Sequence, residues 1–498
     1  MVRIRAWYTG FLLIATAVLA QAEETNLEKR VVEHTCPNGI HLLILERHFS
    51  PTVSIRMVFR TGGVDEVSGK TGLAHMFEHM MFKGTKTLGT KDYQTEAPIL
   101  EQIDRLKQDL DREKSKGNQA NQDRISKLLD TLNALQQKES PLVIENEVFH
   151  LYEKEGASQI NAFTAPDITE YVLDIPSNKI ELWAAMDSDR VKNPVFREFY
   201  TERDVVKEER RMRVDTNPEG ALEENFLAAA FLAHPYHHPT IGWDSDLDHL
   251  SVADLQDFYR RHYTPDRLTI AVVGDVKADS IIEVVDKNFG SWAPSGVQEG
   301  EVITQEPPQA GERRILLETD AEPHLLIGFH IPTYPDPDHP VFYALARLLA
   351  DGQSSRLYKS LVEKKELASG VAADEDTPGD RYPTLFVVSA TPRYPHTPEE
   401  VERAILQELE TVKKTPIETW ELEKVRAAVD VGLLNTLQTN DGMAGTLAYD
   451  QGVFGDWRYL LRFQKVINTL TPADLQRVAQ KYFTPTNRIV AVLVKKKP

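Results

Sequence analysis

Between Val31 and Arg60 apolar and polar positions alternate in two runs, around HLLILE and TVSIRMVFR, with Pro51 between them. A period of two predicts strands with one buried face, so this region reads as part of an antiparallel sheet. The period then changes. The stretch GLAHMFEHMMFKGT, Gly72 to Thr85, reads as a helix carrying polar residues in a greasy run. From Glu96 to Pro141 the composition shifts to Glu, Lys, Gln, Asp and Leu. Ile99, Ile103, Leu106 and Leu110 keep helical spacing before Lys116-Gly117-Asn118, and Ile125, Leu128, Leu129, Leu132 and Leu135 keep it after. This predicts a helical hairpin whose arms are apolar along one narrow stripe. It is either a docking arm or a solvated surface excursion.

The chain also resembles itself. SVADLQDFYRRHYTPDRLTIAVV, from Ser251, and TPADLQRVAQKYFTPTNRIVAVL, from Thr471, share Ala-Asp-Leu-Gln, Thr-Pro and Ala-Val in register. Each predicts a helix, a turn at Pro265 or Pro485, and a buried strand. The expected fold is therefore α+β, two homologous α/β-sandwich lobes of antiparallel sheet packed with helices, with the hairpin (about 96–141) inserted in the first. The lobes are expected at 23–292 and 313–498, joined by a Pro-, Gly- and Glu-rich linker at 293–312 where no apolar period survives. A length of 498 residues is too great for one ordinary core.

A net charge of -19 leaves no cationic surplus for a phosphate backbone, which argues against a nucleic-acid partner. Arg3 and Arg5 precede an apolar run from Phe11 to Leu19 and an Ala20-Gln21-Ala22 cleavage pattern, so residues 1–22 read as a secretory signal, with a short membrane anchor as the alternative. No later segment is apolar for the roughly 20 residues a membrane span needs, so none is expected in the mature chain. Cys36 is the only cysteine, which excludes an internal disulfide. The expectation is an exported protein in the periplasm of a Gram-negative bacterium.

Four residues apart on a helix, His75 and His79 share a face and can offer two nitrogens to one ion, with Glu78 beside His75 left over. A catalytic zinc commonly takes three protein ligands, so a third must come from elsewhere. The best source is TERDVVKEERRMR, where Glu202 and Glu209 are about two turns apart and Glu208 is rotated away by about 100°. Val205 and Val206 interrupt the charges as in a half-buried helix. A second histidine cluster, HPYHHPTIGW from His234, is bounded by prolines and reads as a loop without a metal.

His-x-x-Glu-His inverts the common zinc-protease motif. With GLAHMFEHMMFKGT, NAFT at Asn161-Ala162-Phe163-Thr164, and ERDVVKEE at Glu202–Glu209, the chain resembles the pitrilysin (inverzincin) family of zinc metallopeptidases, in the branch that includes the mitochondrial processing peptidase. The resemblance implies one zinc ion per chain bound by His75, His79 and Glu209, with Glu78 as catalytic base and Glu202 supporting the site. It implies a peptide substrate lying along an edge strand at Asn161, Ala162, Phe163 and Thr164, although NAFT also suits an internal strand. The ligand glutamate lies farther from His79 than in the family, by roughly the length of the hairpin. One departure matters: where relatives carry an arginine and, seven residues on, a tyrosine that hold the substrate, SSRLYKSLVEKKELASGV has Val362 and Ser369. A zinc-bearing subunit completed by a homologous non-zinc chain is then expected, or a homodimer without the pair. The alternative function is a non-catalytic assembly or peptide-binding subunit of the same fold.

Overall fold

A computed structural model describes residues 27–294 and 301–496. The signal reading at 1–22 and residues 295–300 of the expected linker lie outside them. Two compact units form, one from Glu33–Arg210 with Pro239–Glu301, the other chiefly from Arg211–His238 and the chain after Val302. The segment Arg211–His238, placed in the first lobe by the sequence reading, thus groups with the second unit.

The first unit is built on strands β1 (Val31–Thr35), β2 (His41–Glu46), β3 (Thr52–Phe59), β4 (Ser158–Thr164), β5 (Thr169–Pro176) and β6 (Leu268–Gly274), in spatial order β1-β2-β6-β3-β5-β4. The second holds β7 (Arg313–Thr319), β8 (His324–Ile331), β9 (Ala368–Thr377), β10 (Thr384–Pro392) and β11 (Arg488–Lys495), ordered β7-β11-β8-β10-β9. In each, a late strand inserts between two early ones: β6 runs parallel to β2 and antiparallel to β3, as β11 does to β7 and β8. The β3–β5, β4–β5, β8–β10 and β9–β10 pairs are antiparallel as well, and β2 and β3 are not neighbours.

The repeated segments explain the match. Ser251 caps the helix Val252–His262 in a reciprocal box with Asp254, as Thr471 caps Pro472–Tyr482 with Asp474. Pro265 and Pro485 then open the turns into β6 and β11. Apolar faces of both sheets are covered by helices. In the first unit these include Ile180–Lys192, which buries Trp183, and Ala278–Phe289, which buries Val285 and Phe289. In the second, Leu325, Ile327, Phe329 and Val490 form one core with Phe342 and Leu345 of His339–Ala350.

Candidate metal centre

Two helices of the first unit carry the site: α1 (Leu73–Met80), bearing His75, Glu78 and His79, and α2 (Phe199–Arg210), bearing Glu202 and Glu209. Phe77, fully buried on α1, packs on Tyr263 (ring centroids 3.9 Å apart) and stacks on Tyr259 (5.6 Å). This apolar anchor turns the opposite face, with His75 and His79, towards α2. The N-terminus of α1 is held by buried Glu66, which accepts from the backbone N–H of Gly72 (2.8 Å) and Ala74 (2.7 Å). Gly72 has φ +88°, and a Cβ there would lie 2.8 Å from the Ile241 carbonyl, so glycine is required by both backbone and space.

Glu209 Oε2 lies 3.6 Å from His75 Nε2 and 3.5 Å from His79 Nε2. Zinc bonds of about 2.0–2.2 Å at a tetrahedral angle put neighbouring ligand atoms roughly 3.3–3.6 Å apart, so this donor set fits a zinc ion. On the other side of His79, Nδ1 is 3.2 Å from Glu202 Oε2, and Glu202 Oε1 meets Lys83 Nζ at 2.5 Å. Burial would raise the Glu202 carboxyl, but its bonds to His79 and Lys83 hold it below the usual range. Burial likewise opposes charge on His79, yet the bonds to Glu202 and Glu209 and the charge of Glu78 push its pKa up to about 9. Lys83 also reaches Glu198 at 3.1 Å.

Glu78 stands outside the ligand triangle. Its Oε2 accepts from Thr164 Oγ1 at 2.6 Å, and with His79, Phe82, Asn161, Ala162 and Glu202 it lines a cleft of about 460 Å³. Thr164 ends β4, which among the described residues is an edge strand paired with β5 alone. Asn161 and Phe163 are exposed, Ala162 and Thr164 half-buried. On α2, Val206 is buried while Val205 is 46 % exposed, so a single valine faces inward.

The hairpin forms from Tyr93–Lys114 and Gln122–Glu139, burying Ile103, Leu110, Leu132 and Leu135 while Leu129 stays exposed. It packs along α2: the Tyr200 hydroxyl donates to Asp104 (2.6 Å) and Arg203 meets Asp111 (3.4 Å). At its root, Arg197 donates to Glu96 through Nε (2.9 Å) and Nη2 (3.2 Å). The same guanidinium donates to the carbonyls of Lys83, Thr85 (2.6 Å) and Leu88 (3.1 Å), just past α1. All five of its N–H groups are used.

Two other clusters do not join the site. His34, Cys36 and Asp286 converge in the first unit, apart from α1 and α2, with His34 Nε2 3.5 Å from Asp286, and burial and then Asp286 push the Cys36 thiol up to about 12. In the second unit His234 is buried against Tyr236 and Tyr382, and burial lowers its pKa to about 4. Also there, Arg356 makes a two-bond fork to Glu421 (2.7 and 2.6 Å), Val362 lies in the helical turn Tyr358–Lys364, and Ser369 is on β9.

Sequence reasoning missed Glu66, Lys83 and Arg197. Lys83 lies four residues beyond His79, a helical-spacing signal; the other two act across loops and leave no local sign.

The family described as insulinase, peptidase family M16, matches residues 42–100 and 119–244, skipping part of the hairpin, and the family's inactive domain matches 249–429. The zinc protease PqqE of Helicobacter pylori is 29% identical over 92% of this chain and 91% of its own, and the uncharacterized zinc protease YmxG of Bacillus subtilis is 24% identical over 91% and 96%. A crystal structure of a protease from Helicobacter pylori superimposes with a TM-score of 0.77 at 26% identity, covering 94% of this chain and 99% of that one. The first half of the periplasmic protease PqqL of Escherichia coli shares the fold, with a TM-score of 0.68 at 17% identity over 93% and 92%. This chain belongs to the M16, or insulinase, family of peptidases.

Proposed function

We propose that the chain is a zinc-dependent endopeptidase acting on peptides or unfolded segments. The observation that carries this is the convergence of His75, His79 and Glu209 on one point with Glu78 left out of the set and facing the cleft. Bound zinc supplies Lewis acidity that polarises the scissile carbonyl and lowers the pKa of a water molecule towards neutrality. Glu78 takes the proton of that water at its carboxylate and delivers it to the leaving amine. Thr164, donating to Glu78 Oε2, fixes the carboxylate for this exchange. Glu202 holds His79 by Nδ1, keeping Nε2 for the metal. The free edge of β4 offers backbone N–H and C=O groups to an extended peptide, with Asn161, Ala162 and Phe163 beside it.

Glu78→Gln separates catalysis from metal binding. It should keep stoichiometric zinc while turnover falls by at least about 10²–10⁴, as read by metal analysis and peptide cleavage. Undiminished cleavage by this variant rejects the mechanism. Stoichiometric zinc with no cleavage by the parent favours a peptide-binding or assembly subunit instead.

Val362 and Ser369 stand where relatives place the substrate-holding arginine and tyrosine, which supports a two-chain enzyme whose non-zinc homologue supplies that pair. The basic and apolar pattern of residues 1–22 supports export to the periplasm. Among the described residues no helix is long and apolar enough to cross a membrane.

A further inference from the structure

Among the described residues the sheet of the first unit has β4, beside the cleft, at one edge and β1 at the other, with four strands between them. At the β1 edge three side chains of different chemistry converge. His34 belongs to β1, Cys36 follows it, and Asp286 stands on the helix Ala278–Phe289. A nitrogen of His34, the Cys36 sulfur and a carboxylate oxygen of Asp286 lie within 4.8 Å of one another.

The backbone fixes two of the three. The N–H of Cys36 donates to the Ile40 carbonyl and that of Gly39 to the Cys36 carbonyl, both at 2.9 Å, closing a tight turn. Asn38, within that turn, donates through Nδ2 to the carbonyls of Phe289 (3.0 Å) and Trp292 (3.1 Å), at and just past the end of the helix that bears Asp286. Turn and helix are thus latched together. The side chains they present are poorly satisfied. Cys36 is 3% exposed, and the buried Nε2 of His34 and Oδ1 of Asp286 have no hydrogen-bond partner. His34 Nε2 stands 3.5 Å from Asp286 Oδ2, longer than an ordinary hydrogen bond. Burial and then the Asp286 carboxylate keep the proton on the Cys36 thiol. A divalent ion among the three reverses the electrostatic cause, because it neutralises the carboxylate and takes a coordinating thiol as thiolate.

We infer that His34, Cys36 and Asp286 form a second metal site, for a thiophilic divalent cation of the zinc class, separate from the set on α1 and α2. Sulfur and imidazole suit such an ion, whereas calcium and magnesium take oxygen ligands. Bonds of about 2.0–2.3 Å require the donor atoms to close to roughly 3.3–3.7 Å. The His34 and Asp286 side chains, 29% and 37% exposed, are free to make that adjustment and leave the ion a way in. On binding, the S–H bond breaks, the proton passes to water, and the sulfur electron pair bonds the ion. The lost proton weakens this ion's hold relative to the first, so it enters when metal exceeds one equivalent. Once bound, it clips β1 to the helix.

The test is titration of the metal-free, reduced, full-length protein with Co2+, followed by the near-ultraviolet sulfur-to-cobalt charge-transfer band. Cys36 is the sole cysteine, and the α1–α2 set offers only nitrogen and oxygen, so a thiolate band reports this site whether or not the peptidase reading holds. The band should saturate, and Cys36→Ala should abolish it and lower bound cobalt by one ion per chain. His34→Gln and Asp286→Asn, both at part-exposed positions and close in shape to the originals, should each move half-saturation to at least about tenfold more cobalt, since losing even an orienting partner typically costs about 10–100-fold. No band with cobalt in excess, or a half-saturation point that either variant leaves in place, overturns the site.

Discussion

Glu202 acts on the metal through His79, and the two nitrogens of that ring divide between two carboxylates: Nδ1 to Glu202 and Nε2 towards Glu209. Removing such an orienting partner typically costs about 10–100-fold in metal affinity, so Glu202→Ala should bind zinc more weakly by that factor in chelator competition while Glu209→Ala loses the metal. Without metal, His79 has a pKa of about 9, against about 6.5 in an unfolded chain. A raised value means that its charge stabilises the metal-free fold fully below about pH 6.5, and that this contribution is lost as pH rises through about 9. The urea midpoint of metal-free protein should therefore fall across that window. Zinc must displace the same proton, so calorimetry near neutral pH in buffers of different ionisation enthalpy should show about one proton released. A flat urea midpoint together with no proton release would refute the protonated His79. The spacing of His75, His79, Glu202 and Glu209 was legible because helical periodicity is local. The bond from Thr164 to Glu78 was not, since a strand register and a helix orientation must both be settled before those side chains meet.

At the scale of elements, the hairpin is more than an excursion. Tyr200 and Arg203 of α2 are tied to it, and Arg197 couples its root to the turn after α1. Arg197 and Glu96 are 1% and 0% exposed, and breaking a buried pair by removing one partner costs about 3–5 kcal/mol. Glu96→Ala should lose stability on that scale in urea unfolding. Arg197→Lys should fail to substitute, because an ammonium has three donors where five acceptor contacts are waiting. Wild-type stability in both variants would contradict this account. The hairpin's existence followed from its leucine stripes, but which face met α2 did not, because a narrow stripe satisfied within the hairpin leaves the outer faces unspecified. The same limit affected the valines: periodicity marked Val205 and Val206 together, and packing buries only Val206. Likewise two alternating runs identified β2 and β3 as strands without revealing that β6, from more than two hundred residues later, separates them.

At the scale of the whole molecule, duplication gives two sheets of matched order, but among the described residues the metal-type cluster of α1 and α2 belongs to the first unit. On the proposed reading, Val362 and Ser369 stand in the second unit at the positions where the resemblance implies a substrate-holding arginine and tyrosine. The zinc-loaded chain alone should therefore cleave unstructured peptides slowly, and a homologous chain bearing the arginine and tyrosine should raise kcat/KM by an order of magnitude or more, about 1.4 kcal/mol of transition-state binding per factor of ten. Equal rates with and without every such homologue would favour a self-sufficient enzyme. The sequence by itself determined the duplicated α+β units, the two site helices and the residue types they present, since these follow from short-range periodicity, capping and repeated segments. Only the tertiary structure decided that Glu209 reaches both imidazoles, that Thr164 holds Glu78, and that Arg197 binds three carbonyls. These are distances between segments far apart in the chain, and they are set when apolar faces pack, a step that no local pattern encodes.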